Sequence, residues 1–148
     1  MPDQTALSLV DRSAPVDPTV DLVVRFGDLD PNGHLNHAVH LTLFESARIT
    51  VLERLGLPLA TLRDRGLHLI VVETTVRFRR PTYAGETVTI DSRLGELKRA
   101  SAWWHQSMRC GDEVRAEADV RSTVTDREGR PIRPPADLLA GLSRLDAR

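Results

Sequence analysis

Residues 24–38 read VRFGDLDPNGHLNHA, a stretch dense in turn-forming residues between two regular segments. Before it, the alternating apolar residues Val20, Leu22 and Val24 predict a short β-strand. Its centre is rich in Asp, Pro, Asn and Gly, which predicts a loop of defined backbone geometry. Because chemistry is often carried by such loops, residues 27–34 are the first place to look for a functional site.

A long helix is predicted directly after this loop. Asn36 is a good N-cap residue, and apolar residues recur at helical spacing from Leu41 to Leu55. Gly56, followed by Pro58, provides the stop signal. The helix would have about five turns.

Beyond the helix, the apolar pattern changes to a period of two residues, which predicts strands. Four strands are expected, within residues 72–80, 87–94, 102–110 and 114–124. A short helix is possible between Leu59 and Gly66 and another between Pro135 and Leu145. The single long helix must cover the dry face of this antiparallel sheet, so we predict an α+β domain with about five strands wrapped around one central helix, the hotdog fold.

Length and composition limit the possible functions. The chain has 148 residues, with 20 Lys and Arg against 21 Asp and Glu, so it lacks the broad basic field of a nucleic-acid-binding protein. The single cysteine, Cys110, excludes an intrachain disulfide and a thiolate metal cluster, and no metal is predicted. No apolar run is long enough for a bilayer, and a cytoplasmic location is expected. Residues 1–19 are predicted to form a loose leader and residues 20–148 a single domain.

The stretch 24–38, continued by Phe44-Glu45-Ser46-Ala47-Arg48, resembles the 4-hydroxybenzoyl-CoA thioesterase-like branch of the hotdog superfamily. That family has a strand ending in Arg-Phe, an Asp-x-Asp-x-x-Gly-His-x-Asn loop and a central helix with Phe-Glu-x-x-Arg. The resemblance extends over residues 20–137, through Phe78-Arg79-Arg80-Pro81, Gly85-Glu86, Lys98-Arg99-Ala100-Ser101 and the Asp126 to Pro131 ending. The chain has only three Phe, two Trp and one Tyr, so specificity for an aromatic acyl group is not carried over.

The resemblance implies roles for residues of the loop. Asp30 stands at the position of the catalytic carboxylate, as a nucleophile or a general base, although it could instead form an Asx-turn. His34 could orient this carboxylate, hold the thioester oxygen or only cap the turn. Asn36 caps the helix, and the backbone amide of His37 would polarise the thioester carbonyl. Asp28 is expected to be structural.

Other charged residues are candidates for supporting roles. Glu45 is expected to pair with Arg48 and is a reserve catalytic residue, since another hotdog lineage takes its carboxylate from the central helix. Four basic residues are candidates for binding the phosphates of coenzyme A, although they could simply be solvated at strand edges. They are Lys98 and Arg99 and, as second choices, Arg79 and Arg80.

These features predict an acyl-CoA thioesterase that releases a free carboxylic acid and coenzyme A without a cofactor. The carrier could equally be acyl carrier protein. Two alternatives stay open: a hotdog enoyl-CoA hydratase, whose Gly-Asp-x-Asn-Pro-x-His motif is approached by residues 27–34, and a non-catalytic acyl-CoA or acyl-carrier-protein binding module. The resemblance also implies a homodimer paired strand to strand, or a homotetramer, with sites at the subunit boundary. Lys98 and Arg99 would then serve a neighbour's ligand.

Overall fold

One antiparallel sheet, three α-helices and a short 3₁₀ helix at Phe26–Asp28 form the regular structure of residues 14–145, the part of the chain that this computed structural model describes. The sheet has five strands in the order β1-β3-β4-β5-β2. The strands are β1 (Thr19–Val23), β2 (His68–Phe78), β3 (Thr87–Leu97), β4 (Ser101–Cys110) and β5 (Glu113–Thr125). The helices are α1 (His37–Arg54), α2 (Leu59–Asp64) and α3 (Ala136–Ser143). The predicted α+β hotdog architecture is confirmed.

The long helix α1 begins and ends as its sequence predicts. The Oδ1 atom of Asn36 accepts a hydrogen bond from the backbone N–H of Ala38 at 2.9 Å. Gly56 follows the helix at a φ of 75°, where a side chain would be strained. One side of α1 is buried and packs over the inner face of the sheet; its buried residues are His40, Phe44, Ala47, Val51 and Leu52.

Strand β2 differs most from its prediction. It begins at His68, four residues earlier than expected, and the pairing with β5 shifts register between Val71 and Glu73. The extra residue is Val72, so the simple alternation predicted from Val72 to Phe78 is interrupted at its start. β2 is also a sheet edge, because β5 is its only neighbour among the described strands. Several of its apolar side chains are exposed as a result.

The topology places the loop of residues 24–36 at one end of the sheet. Val23, the last residue of β1, pairs with Thr87, the first residue of β3. Lys98 and Arg99 follow the far end of β3, about 33 Å away at the usual rise of a strand. The loop and this basic pair therefore lie at opposite ends of one sheet.

Most of the predicted N-terminal leader, residues 1–13, lies outside the described residues. Val16 is 9% exposed and belongs to the hydrophobic core, and the carbonyl of Pro18 accepts a hydrogen bond from the Ser92 N–H at 3.0 Å. The residues directly before β1 thus pack onto the domain.

Candidate active site

The loop after β1 folds back on itself as a tight hairpin. Leu29 and Leu35 form an isolated antiparallel bridge, and the N–H of Asp30 donates to the carbonyl of His34 at 2.7 Å. Gly33 closes the turn at a φ of 78°, with its N–H donating to the carbonyl of Asp30 at 3.0 Å. This hairpin brings Asp30 beside His34, just before the start of α1.

The two carboxylate oxygens of Asp30 have different surroundings. Oδ1 accepts hydrogen bonds from the N–H of Asn32 at 2.8 Å and from the N–H of His34 at 3.2 Å. Oδ2 has no hydrogen-bond partner within residues 14–145. The predicted Asx-turn is therefore present, and it uses one oxygen while leaving the other available for chemistry.

The second acidic residue of the loop, Asp28, has a structural role. Its Oδ2 accepts from the N–H of Arg25 at 2.8 Å, and its carbonyl accepts from the N–H of Asn36 at 2.9 Å. Asp28 thus ties the beginning of the loop to the N-cap of α1, as the sequence predicts.

The N-terminus of α1 carries an unbonded donor. Asn36 satisfies the N–H of Ala38, whereas the N–H of His37 has no acceptor among the residues the structure describes. The positive end of the helix dipole adds to this donor. An unbonded N–H and the end of a helix dipole together favour a negatively charged oxygen at this point. The side chain of His37 is exposed and plays no part in this arrangement.

A buried histidine supports the helix start, and sequence reasoning gave it no role. His40 is 4% exposed, and its Nδ1 lies 2.9 Å from the carbonyl oxygen of Asn36. Since a carbonyl only accepts, Nδ1 carries the proton. Burial lowers the pKa of His40 below the usual 6.5, although the Asn36 carbonyl opposes this, so the ring is neutral at pH 7. The rings of His40 and Phe78 meet edge to face with centroids 4.9 Å apart. In the sequence, this contact is indicated by the spacing of four residues, about one helical turn, between the N-cap residue Asn36 and His40.

A second contact that the sequence did not predict joins the loop to the segment after β2. The rings of His34 and Tyr83 meet edge to face with centroids 5.3 Å apart. Next to this contact, the N–H of Leu35 donates to the carbonyl of Thr82 at 2.7 Å. Tyr83 is almost fifty residues from His34 in sequence, so no local pattern could have indicated the pairing.

Glu45 lies away from the loop on α1. It is exposed and eight residues beyond His37, about 12 Å along the helix. The predicted ion pair of Glu45 with Arg48 does not form: the Nη1 of Arg48 donates to Oε1 of Gln106 at 2.6 Å instead. Gln106 in turn donates to the Phe44 carbonyl at 2.9 Å. Arg48 therefore belongs to a buried polar network that joins α1 to β4. Burial lowers the pKa of its guanidinium, and the nearby Glu45 charge partly offsets this.

The four basic candidates divide into two pairs. Arg79 and Arg80 follow β2 at the end of the sheet that carries the loop. Arg79 is bound to Glu117 at 2.9 Å, whereas Arg80 is exposed and has no ion-pair partner within the described part of the chain. Lys98 and Arg99 lie at the opposite end, where Lys98 is 3.6 Å from Glu96. The structure does not bring this second pair to Asp30 of the same chain.

Neither a metal site nor a membrane-spanning helix is found within residues 14–145. No group of three or more His, Cys, Asp or Glu side chains is placed there to hold a metal ion, and the absence of a metal stays a prediction. In the same residues, no helix is both long and apolar enough to cross a membrane.

The chain is similar to a family of known proteins. The family described as the thioesterase-like superfamily matches residues 24–142, about four fifths of the chain. An acyl-acyl carrier protein thioesterase of Arabidopsis thaliana is 26% identical over 121 residues, which are 80% of this chain and 64% of that protein.

Solved structures resemble the fold closely. A thioesterase from Thermus thermophilus, crystallised with coenzyme A and Zn, is 30% identical with a TM-score of 0.78, and the match covers 88% of this chain and 94% of that one. A 1,4-dihydroxy-2-naphthoyl-CoA thioesterase from Synechocystis has a TM-score of 0.81 over 88% of this chain and 98% of that one. At 16% identity, this second likeness concerns the fold alone.

Proposed function

The chain belongs to the thioesterase-like superfamily and is a thioester hydrolase, and from this premise we propose that it hydrolyses an acyl-CoA to a free carboxylic acid and coenzyme A, with Asp30 as the catalytic carboxylate. One observation carries the proposal. Within residues 14–145, the Oδ2 of Asp30 has no hydrogen-bond partner, and its loop leads directly to the N–H of His37, the first residue of α1, which also lacks an acceptor. Thioester hydrolysis needs such a pair, one group to attack or activate water and one donor for the developing oxyanion.

The reaction can proceed from Asp30 in two ways. As a general base, Oδ2 removes a proton from water while the water oxygen adds to the thioester carbonyl. As a nucleophile, Oδ2 adds to the carbonyl itself, and water then hydrolyses the resulting mixed anhydride. In both routes the carbonyl oxygen becomes negative and is stabilised by the N–H of His37. Collapse of this intermediate breaks the carbon–sulfur bond, and the leaving thiolate takes up a proton.

The backbone geometry supports this role of Asp30. Its Oδ1 is held by two N–H groups, so the side chain is fixed and Oδ2 has a defined direction. Asn36 acts by holding the first turn of α1, which sets the direction of the His37 N–H. His34 acts through its backbone: its carbonyl accepts from the N–H of Asp30, and its N–H donates to Oδ1 of Asp30. The ring of His34 packs on Tyr83. Glu45 lies about 12 Å along α1 from His37, and the proposed reaction gives it no direct part.

Substrate phosphates require basic residues near the site, and we propose a homodimer that supplies some of them. β2 is an open edge on which Ile70, Val71, Val72 and Phe78 are 44–54% exposed. An apolar sheet edge of this kind favours pairing with a second strand. Antiparallel pairing of β2 with β2 of a second copy would set Phe78 of one chain near His68 of the other.

This pairing has a consequence for Lys98 and Arg99. The first residues of β2 lie at the sheet end that also carries the turn between β3 and β4. The proposed dimer therefore brings this turn of the second copy to the same end as Asp30 of the first. Arg80 of the same chain and Lys98 and Arg99 of the second copy are then the proposed ligands of the coenzyme A phosphates, each an ordinary charge-assisted contact.

The function is tested by measuring free-thiol release from short, medium, long and aromatic acyl-CoAs and from an acyl-acyl carrier protein. The proposal predicts rapid release from at least one acyl-CoA, which also defines the acyl range. Binding of acyl-CoAs without thiol release would favour the binding module. Loss of the enoyl absorbance of an enoyl-CoA without thiol release would favour the hydratase.

A further inference from the structure

The segment of residues 81–86 is bonded to both ends of the catalytic loop. At the start of the loop, the N–H of Gly85 donates to the carbonyl of Val24 at 2.8 Å, and the N–H of Val24 donates to the carbonyl of Glu86 at 2.9 Å. At the end of the loop, Thr82 accepts from the N–H of Leu35 at 2.7 Å. The position of the loop therefore depends on the conformation of this segment.

The conformation of segment 81–86 is fixed by a bidentate ion pair. Arg115, on β5, places Nη2 at 3.1 Å from Oε1 of Glu86 and Nη1 at 3.2 Å from Oε2. The side chain of Arg115 is only 11% exposed, so water screens this pair weakly. Glu86 Oε2 also accepts from the N–H of Tyr83 at 2.8 Å. This N–H and the guanidinium both lower the pKa of Glu86, so its carboxylate is charged at neutral pH.

Arg115 also binds the same segment at other points. Its Nη1 donates to the carbonyl of Pro81, and its own backbone carbonyl accepts from the N–H of Arg79 at 2.8 Å and of Arg80 at 3.1 Å. One residue thus holds the whole turn that joins β2 to β3, from Arg79 to Glu86.

We propose that Arg115 is a positioning residue for the catalytic carboxylate of Asp30, an inference that rests on the proposed function. A continuous path of contacts joins the two. Arg115 fixes Glu86, Glu86 fixes Tyr83 and the neighbouring Thr82, and these two residues contact His34 and Leu35. His34 then holds Asp30, through the Asp30 N–H at 2.7 Å and Oδ1 at 3.2 Å. Arg115 touches no reacting atom and acts only through this path.

The planar fork of arginine is essential to this role. A lysine at position 115 would keep the charge but has one nitrogen, which cannot bind both oxygens of Glu86 and the Pro81 carbonyl in the same geometry. Arg115→Lys should therefore let the loop shift. A displacement of about 1 Å at a catalytic group can cost up to about a hundredfold in rate. We expect kcat for thiol release to fall about 10-fold to 100-fold. KM should be nearly unchanged, because the backbone carbonyl at position 115 still accepts from the N–H groups of Arg79 and Arg80.

The matched control is Arg65→Lys. Arg65 makes the same bidentate contact, with Asp137 at 2.8 Å and 3.0 Å, but it joins α2 to α3 away from the loop. This variant should keep the wild-type kcat. Should Arg115→Lys fail to fold, Glu86→Gln offers a milder break of the same pair and should lower kcat in the same direction.

A coupling test separates positioning from simple loss of stability. In an Asp30→Asn background there is no carboxylate left to position, so adding Arg115→Lys should change the residual rate by less than about twofold. A loss of rate as large in this background as in the wild type would overturn the proposal, and so would a wild-type kcat in Arg115→Lys.

Amide hydrogen exchange gives a readout that does not depend on activity. The Leu35 N–H should exchange faster in Arg115→Lys than in wild type and Arg65→Lys, because its acceptor Thr82 is released. Were the wild type to release no thiol, the proposed function would fail while this measurement still tests the path to the loop. Unchanged exchange at Leu35 would refute the path itself.

Discussion

Asp30 uses Oδ1 to shape its own loop and leaves Oδ2 unbonded within the described residues. The two interpretations that the sequence left open, turn former and catalytic carboxylate, are therefore compatible, because the turn uses only one of the two oxygens. A sequence pattern names the residue type and its neighbours but cannot assign separate tasks to two oxygens. Their assignment required the hydrogen bonds of the folded loop, which depend on the bridge between Leu29 and Leu35.

The role proposed for His37 involves only its backbone N–H. Replacing His37 with proline, which has no backbone N–H, tests this role. Proline is tolerated at the first position of a helix, and Asn36 has a φ of −59° and a ψ of 135°, which suits a residue before proline. His37→Pro should therefore fold and lower kcat for thiol release about 10²-fold to 10³-fold, the usual cost of losing one oxyanion donor. His37→Ala keeps the N–H and should retain activity. Equal rates for these two variants would exclude the amide from catalysis.

His40 should make stability depend on pH. Its pKa is lowered in the folded protein, so the unfolded chain binds the proton more readily. The contribution of neutral His40 to the free energy of unfolding is fully present above the unfolded pKa of about 6.5 and is lost as the pH falls through the pKa of the folded protein. The loss is no more than about 1.4 kcal/mol per pH unit. Urea unfolding between pH 7.5 and 5.5 should show this loss in wild type and less of it in His40→Gln. An unchanged pH dependence in His40→Gln would contradict the assignment.

The elements were predictable to different degrees. α1 follows from its N-cap, its helical spacing and Gly56, all of which are local signals. The period of two residues correctly predicted a strand within residues 87–94, where Val88 and Ile90 are both 0% exposed on the inner face of β3. For β2 the alternation did not reveal the bulge at Val72 or the position at the sheet edge. Those depend on which strands become neighbours, and strand order is a property of the whole sheet.

The edge position of β2 leads to a test of the proposed dimer. Val72 is 47% exposed, and Val72→Lys would place a charge on the edge proposed to pair with a second copy. Sedimentation velocity should show wild type as a dimer or larger and this variant as a single chain. The matched control is Val23→Lys on β1, the other sheet edge, where Val23 is 58% exposed. If Val23→Lys dissociates into single chains while Val72→Lys stays a dimer, the interface lies on β1 instead of β2.

The sheet topology of the whole molecule determines which part of the candidate site could be recognised from the sequence and which part could not. Asp30, His34, Asn36 and His37 lie within eight residues, so one motif contains them all. The contacts that hold this motif come from Tyr83, Glu86 and Arg115, which the sheet topology brings together. The same topology separates Lys98 and Arg99 from Asp30 by the length of the sheet. Their proposed part in substrate binding depends on the proposed dimer, and no local pattern in one sequence reports which strands pair between two copies.

The decisive measurement for Asp30 as the catalytic carboxylate is the rate of thiol release by Asp30→Asn beside that of Asp28→Asn on the best acyl-CoA substrate. Both changes replace a carboxylate with an amide of the same size in the same loop, and both residues retain an oxygen that can accept the backbone N–H bonds. We expect Asp30→Asn to lower kcat about 10²-fold to 10⁴-fold, because the group that attacks or activates water is lost. Asp28→Asn should stay within about tenfold of wild type, because Asp28 only shapes the loop. An Asp30→Asn enzyme as fast as wild type, or an Asp28→Asn enzyme as impaired as Asp30→Asn, would contradict this role of Asp30.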